Sequence, residues 1–224
     1  CNPYPCRASI FKRQIKISTT MKRKLLILIT LFTFTLGAFA QNAAQARKLL
    51  DRTAALVGRK GGASANFSIS GNKVTATSGT LAIKGTMFNA HTPKATIWYN
   101  GKTQWTYMKS TNEVNVSKPT EAKRMQMNPL TFLSMYKNGY TLSMSSEGSN
   151  KVVHMTAQNK QRTVQEVYIT INPKTAVPSK IRMRDVKKNW TTITISNFQA
   201  KNQSTKSFSF NAKDFPSAEI VDLR

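Results

Sequence analysis

Residues 94–108 read KATIWYNGKTQWTYM, two alternating apolar and polar runs around Asn100-Gly101. No other stretch restricts the chain more. Asn-Gly is the favoured two-residue type I′ turn, because both central positions need positive φ and these residues tolerate it. Pairing across such a turn sets Trp98 opposite Thr103 and Thr96 opposite Trp105. Trp98, Trp105 and Tyr107 then share one face, since side chains alternate along a strand. A face of three aromatics needs apolar company, either as ordinary core or as a surface that binds something. No catalytic group lies within it.

The flanking sequence extends the hairpin into a sheet. From Ala65 to Val116 short alternating runs such as Phe67-Ser68-Ile69, Leu81-Ala82-Ile83 and Thr96-Ile97-Trp98 are punctuated by Gly, Asn and Pro, the signature of an antiparallel meander. Six further strands are expected at 141–144, 152–156, 164–171, 179–186, 190–198 and 207–210. Two helical segments interrupt the strands. In residues 41–60, Leu49, Leu50, Leu56 and Val57 recur at helical spacing, and Gly58, Gly61 and Gly62 end the run. Residues 117–137 load Met125, Met127, Leu130, Phe132 and Leu133 onto a second segment that Pro129 must kink or restart. The expected class is α+β, with about eleven antiparallel strands and two or three helices in one domain, 41–224. A sheet that long must curl or split. If it curls without closing, its apolar face stays open and only the helices can cover it.

The N-terminus carries an address. Met21-Lys22-Arg23-Lys24, the apolar run from Leu25 to Phe39 and Ala38-Phe39-Ala40 make the basic, hydrophobic and small-residue regions of a cleavable signal peptide at 21–40. The run is shorter than the ~18 to 20 residues that span a bilayer. Residues 1–20 have no periodic pattern and read as an over-extended reading frame. Cys1 and Cys6, the two cysteines of the chain, lie in that piece, so the exported part has no thiol for a disulfide or a lipid anchor. Export to the periplasm as a freely diffusing monomer is the expectation.

Charge narrows the partners. Of 34 basic residues seven precede Gln41 and all nine acids follow it, leaving +18 on residues 41–224. Such a field favours anionic surfaces. The lysines and arginines are dispersed through Ser/Thr/Asn-rich strands instead of being gathered on one helix or arm, and the exported location argues against nucleic acid. Catalytic constellations are missing from the sequence. His91 and His154 have no second ligand at metal spacing, and there is no G-x-S-x-G elbow, G-x-G-x-x-G turn or P-loop. Neither an enzyme nor a cofactor is expected.

The order of motifs resembles the LolA-like family of periplasmic outer-membrane lipoprotein carriers. A "G-x-L-x-I-K" strand at Gly79–Lys84 precedes Asn100-Gly101-Lys102-Thr103-Gln104-Trp105-Thr106-Tyr107; Asn128-Pro129-Leu130 follows, and Phe208-Ser209-Phe210 runs into Ile220-Val221-Asp222. The resemblance covers residues 44–224. It implies an incomplete β-barrel with helices as a lid over a hydrophobic cavity, and a chaperone that carries lipoproteins by their acyl chains from inner to outer membrane. Its implied partners are acylated lipoproteins, an inner-membrane release machinery and an outer-membrane acceptor. A carrier of another amphiphile, or an esterase acting on one, is the alternative.

On that reading the cavity floor falls to Phe67, Leu81, Ile83, Trp98, Trp105, Tyr107 and Trp190. The lid falls to Leu49, Leu50, Leu56, Met125, Met127, Leu130, Phe132 and Leu133. Carriers of this family often show Arg-Pro after the "G-x-L-x-I-K" strand, the arginine resembling a latch to the lid. Here Lys84 is followed by Gly85-Thr86. Lys84 is the available substitute, although an ammonium lacks the bidentate fork of a guanidinium.

Overall fold

The computed structural model describes residues 40–120 and 134–224. The signal segment and the lid residues Met125, Met127, Leu130, Phe132 and Leu133 lie outside the described residues.

Helix α1 spans 40–57. It ends where Gly58 donates its N–H to the Ala54 carbonyl and Gly62 takes a φ of +88°, a backbone state glycine adopts without penalty. The chain then runs through β1 (Ala63–Gly71), β2 (Thr77–Lys84), β3 (Met87–His91), β4 (Ala95–Tyr99), β5 (Gln104–Met108) and β6 (Glu113–Ser117). After the second described stretch begins it continues through β7 (Tyr140–Glu147), β8 (Asn150–Ala157), β9 (Val164–Ile171), β10 (Pro178–Asp185) and β11 (Trp190–Gln199), and finishes with β12 (Glu219–Asp222).

The twelve strands among the described residues form one sheet in the order β12-β6-β5-β4-β3-β2-β1-β11-β10-β9-β8-β7. Two meanders are joined where β11 pairs antiparallel with β1, and β12 alone is parallel, to β6. The sheet remains open between β7 and β12, so the architecture is an α+β half-open barrel.

One face of the sheet, the inner face, carries α1. Ala46, Leu49 and Leu50 pack with Leu142, Val153, Met155, Val167, Ile169, Ile171 and Ile181 from β7–β10, together with Tyr136 and Tyr140. Every one of these is buried, and each strand presents them at alternate positions. The helix is also pinned by polar contacts. Asn42 exchanges two hydrogen bonds with the backbone of Met144 on edge strand β7. Arg52 donates to the carbonyls of Pro173 and Lys174, and the Thr53 hydroxyl donates to the buried Ala176 carbonyl at 3.0 Å. Tyr136 donates to Asp51, and burial together with that bond pushes its phenol up to about 12.

Two sequence expectations are corrected here. The β4–β5 connection is a four-residue loop, not a two-residue turn: Asn100 Oδ1 accepts from the backbone of Lys102 and Thr103, so Trp98 pairs with Trp105 and Thr96 with Tyr107. The slip is by two residues, which leaves the shared aromatic face intact. Residues 207–210 are not a strand. Ser204 caps a 3-10 turn at Thr205–Phe208 by accepting from the Lys206 N–H, and Phe208 is fully buried.

Candidate functional site: an apolar cavity between the two meanders

Alternation fixes which side chains meet at the β1/β11 joint. Ala63, Ala65, Phe67 and Ile69 of β1 face inward; Phe67 lies opposite Ile195 and Ile69 opposite Ile193 on β11, while Ala65 and Ala63 lie opposite Leu81 and Ile83 on β2. A bulge completes the wall. The β1/β11 register shifts between Ser64 and Asn66, with Asn197 in the left-handed region at φ 51°. The extra residue turns Phe198 inward, where it packs with Val57, Ile83, Ala54 and Leu81.

These residues enclose a cavity of about 400 Å³, lined also by Val74, Ala90, Pro178, Ile181, Met183 and Thr191. Its volume falls in the range of small-molecule sites. Among the described residues only Ser64, Asn66 and Thr191 bring polar groups to the lining and no charged residue does. Water gains few partners in such a space, whereas hydrocarbon gains roughly 0.8 kcal/mol per buried methylene. The lining runs from Val57, the last residue of α1, to Val74, which is 40% exposed in the β1–β2 turn. A second concavity of about 490 Å³ at β1–β3 and β11 mixes Ala65, Leu81, Ala82 and Phe198 with the amides and hydroxyls of Ser64, Asn66, Thr80, Asn89, Asn197 and Gln199, a lining that suits water better than the first does.

Phe67, Leu81 and Ile83 therefore line the cavity. The other four floor residues read from the sequence do not. Register places Trp98, Trp105 and Tyr107 with Asn89, His91 and Val114 on the outer face, because their parity is opposite to that of Leu81 and Ile83. Their apolar company is the C-terminal segment: Trp98 meets Phe210 and Phe215 edge-on, both at 5.6 Å, and Tyr107 meets Phe215 at 4.6 Å. This strap crosses the outer face before β12 docks on β6. Trp190 is also outside, 6.0 Å from Tyr168 and under the guanidinium of Arg182 at 4.8 Å.

Leu49 and Leu50 belong to the core beneath α1, and Leu56 is half-buried outside the cavity lining. Lys84, the substitute considered for a lid latch, donates to the Gln203 carbonyl at 2.7 Å, tying the sheet to the start of the strap. Sequence reasoning missed Val57, Ile69, Val74 and Ala90 among the cavity residues, and the whole wall supplied by β10 and β11. Ile193 and Ile195 alternate with threonine in Thr191-Thr192-Ile193-Thr194-Ile195, a legible inward face whose neighbour was not.

Among the described residues no group of three or more His, Cys, Asp or Glu could hold a metal ion. The Thr96 hydroxyl and His91 Nδ1 share a hydrogen bond of 2.7 Å. His154 stacks on Tyr168 at 4.1 Å, with Glu166 3.9 Å from its Nε2. Burial lowers the His154 pKa and Glu166 opposes this, while the hydrogen bond from Arg184 holds Glu166 below the usual carboxylate range. These groups bind one another on the outer face and none reaches the cavity.

No curated protein sequence matches the chain. Among solved structures, an uncharacterized conserved protein from Thermus thermophilus shares the fold at 13% identity and a TM-score of 0.53, over 80% of this chain and 99% of that one. A LolA superfamily protein from Nitrosomonas europaea aligns at 12% identity and a TM-score of 0.40, over 74% of this chain and 97% of that one. The Pseudomonas aeruginosa MucA/MucB complex aligns at 12% identity and 0.44, over 75% of this chain and 62% of that one. The family model described as outer membrane lipoprotein carrier protein LolA matches residues 36–187, well over half of the sequence. This chain belongs to that LolA family.

Proposed function

We propose that the chain is a periplasmic carrier that holds the acyl chains of lipoproteins in the cavity between β1, β2, β10 and β11 and makes or breaks no covalent bond. The observation that carries this reading is the lining itself: Phe67, Leu81, Ile83, Ile181, Ile193, Ile195 and Phe198 converge on one space, and among the described residues no charged side chain enters it. About ten buried methylenes would contribute on the order of 8 kcal/mol before the loss of ligand freedom is subtracted. The net affinity is then modest, which suits a protein that must also release what it holds. The sequence has no P-loop, so loading and unloading would draw on a release machinery in the inner membrane and an acceptor in the outer membrane.

The positions of the tryptophans supply a test. Trp98, Trp105 and Trp190 all lie on the outer face, so a brominated acyl chain in the cavity would quench their emission weakly. A Phe67→Trp variant places an indole on the lining and is expected to be quenched strongly by a lipopeptide brominated mid-chain. Equal quenching of the unaltered protein and the variant would count against this cavity as the acyl site.

A further inference from the structure

At one end of the sheet the cavity lining reaches a pair of hairpin tips that do not resemble the rest of the surface. The tips are the β1–β2 turn, residues 72–76, and the β10–β11 turn, residues 186–189. They are neighbours: the Asn72 N–H donates to the Trp190 carbonyl at 3.2 Å, and the Val186 N–H donates to the carbonyl of Thr163 in the adjoining β8–β9 turn at 3.0 Å. Each tip exposes one aliphatic side chain, Val74 at 40% and Val186 at 53%. Only two other large apolar residues among the described residues are as exposed, Ile220 and Leu223 at the far C-terminal edge.

A lysine adjoins each valine. Lys73 precedes Val74, and Lys187 and Lys188 follow Val186, all exposed. The antiparallel topology brings three more connections to this end, residues 92–94, 109–112 and 158–163, adding Lys94, Lys109, Lys160 and Arg162. These five connections hold no acidic residue; the nearest to the second tip, Asp185 at the end of β10, has its carboxylate oxygens taken by the backbone N–H and side-chain amide of Asn189. Just behind the second tip Arg182 covers Trp190. An apolar point ringed by cations, with an aromatic at its base, matches a bilayer surface in which acyl chains lie beneath anionic headgroups.

We propose that these two hairpin tips dock the protein on an anionic bilayer, Val74 and Val186 entering between headgroups while Lys73, Lys187 and Lys188 sit on their phosphates. Because Val74 also lines the cavity, docking in this orientation turns the cavity mouth toward the hydrocarbon, and an acyl chain crosses from bilayer to cavity without passing through water. The purpose so assigned rests on the carrier reading; the docking itself does not.

Flotation of the purified protein with vesicles of phosphatidylglycerol and phosphatidylcholine, compared with phosphatidylcholine alone, tests it. Association is expected to require the anionic lipid. A Lys187→Gln/Lys188→Asn variant, in which asparagine tolerates the φ of +64° at 188, should weaken it by roughly 30-fold at low salt, about fivefold for each lysine. Val186→Asp should weaken it at least as much with an unchanged melting temperature. Removing two cations from the opposite end, Lys102→Gln/Lys174→Gln, should change association by less than about threefold, since charges further away than a Debye length are screened. Equal losses at both ends would reduce the effect to net charge and overturn the proposal, as would full association of Val186→Asp. Binding of a soluble dansylated fatty acid, measured on the same samples, separates the two readings. Tip variants that keep this affinity while losing vesicles support docking; tip variants that lose both act through the cavity and overturn it; failure of the unaltered protein to bind the probe would sink the carrier reading and leave the vesicle result standing.

Discussion

Phe215→Ala separates the two faces of the sheet. The ring is half-buried and touches three others, Trp98 at 5.6 Å, Tyr107 at 4.6 Å and Phe210 at 5.4 Å. Each aromatic pair contributes about 0.5–1.5 kcal/mol beyond its area, and truncating a fully buried phenylalanine costs about 3–5 kcal/mol in all. A half-buried ring with three partners should therefore cost roughly 2–4 kcal/mol, close to 5–15 °C of melting temperature for a domain of this size. The domain would still fold, since that is less than a typical total stability of about 5–15 kcal/mol. Two consequences should appear together. Trp98 loses one of its two edge contacts and tryptophan emission shifts to the red, while affinity for a soluble acyl probe stays within twofold, because the strap and the cavity lie on opposite faces. Thermal melting, emission spectra and probe titration on one preparation suffice. An affinity that falls in step with the emission shift would mean that the aromatic face is part of the binding site and that the two-face account is mistaken; an unchanged melting temperature would refute the energetics of the strap.

Other outcomes follow from the same geometry. Thr53→Val removes the hydroxyl that satisfies the buried Ala176 carbonyl and should cost about 1–3 kcal/mol in chemical denaturation, with the inner-face β signal retained. His154 and Glu166 are both lowered in the fold, so the unfolded chain takes up protons more readily. Stability contributed by His154 is present above its ordinary value of 6.5 and fades as pH falls through its folded pKa; that from Glu166 fades below about 4.5. Melting temperature should therefore drop between pH 7.5 and 5.5, and less so in His154→Gln; identical slopes would refute the assignment. Raising salt should release the protein from anionic vesicles while scarcely changing affinity for the acyl probe, because exposed charges are screened beyond roughly 8 Å at physiological ionic strength and none among the described residues lines the cavity.

What the sequence disclosed, and what it withheld, comes down to parity and to range. Alternation placed Trp98, Trp105 and Tyr107 together, and a two-residue slip at the Asn100 loop could not separate them. It could not say which face of the sheet they occupy, because that depends on what covers the face, and the cover comes from Phe210 and Phe215 about a hundred residues later. The Phe208-Ser209-Phe210 alternation imitates a strand; only the cap at Ser204 and the burial of Phe208 reveal a turn. Phe67, Leu81 and Ile83 were legible because β1 and β2 are sequential neighbours. Ile181, Met183, Ile193 and Ile195 were not assigned to the same space, since the pairing of β11 with β1 closes a loop of well over a hundred residues and leaves no local trace. The fold class was readable from strand count and motif order together; the cavity needed the register.

The central claim is that the β1/β11 cavity holds acyl chains, and native mass spectrometry of the protein recovered from the periplasm tests it most directly. The account predicts an acylated species released on mild activation, with the mass of a lipopeptide or lipoprotein. It predicts that this species is lost when Ile193→Trp fills the cavity and kept when Trp105→Ala alters the outer face. A protein that emerges without ligand, or whose ligand survives Ile193→Trp and departs with Trp105→Ala, would contradict it; a free lipid in place of an acylated protein would keep the cavity and change the cargo.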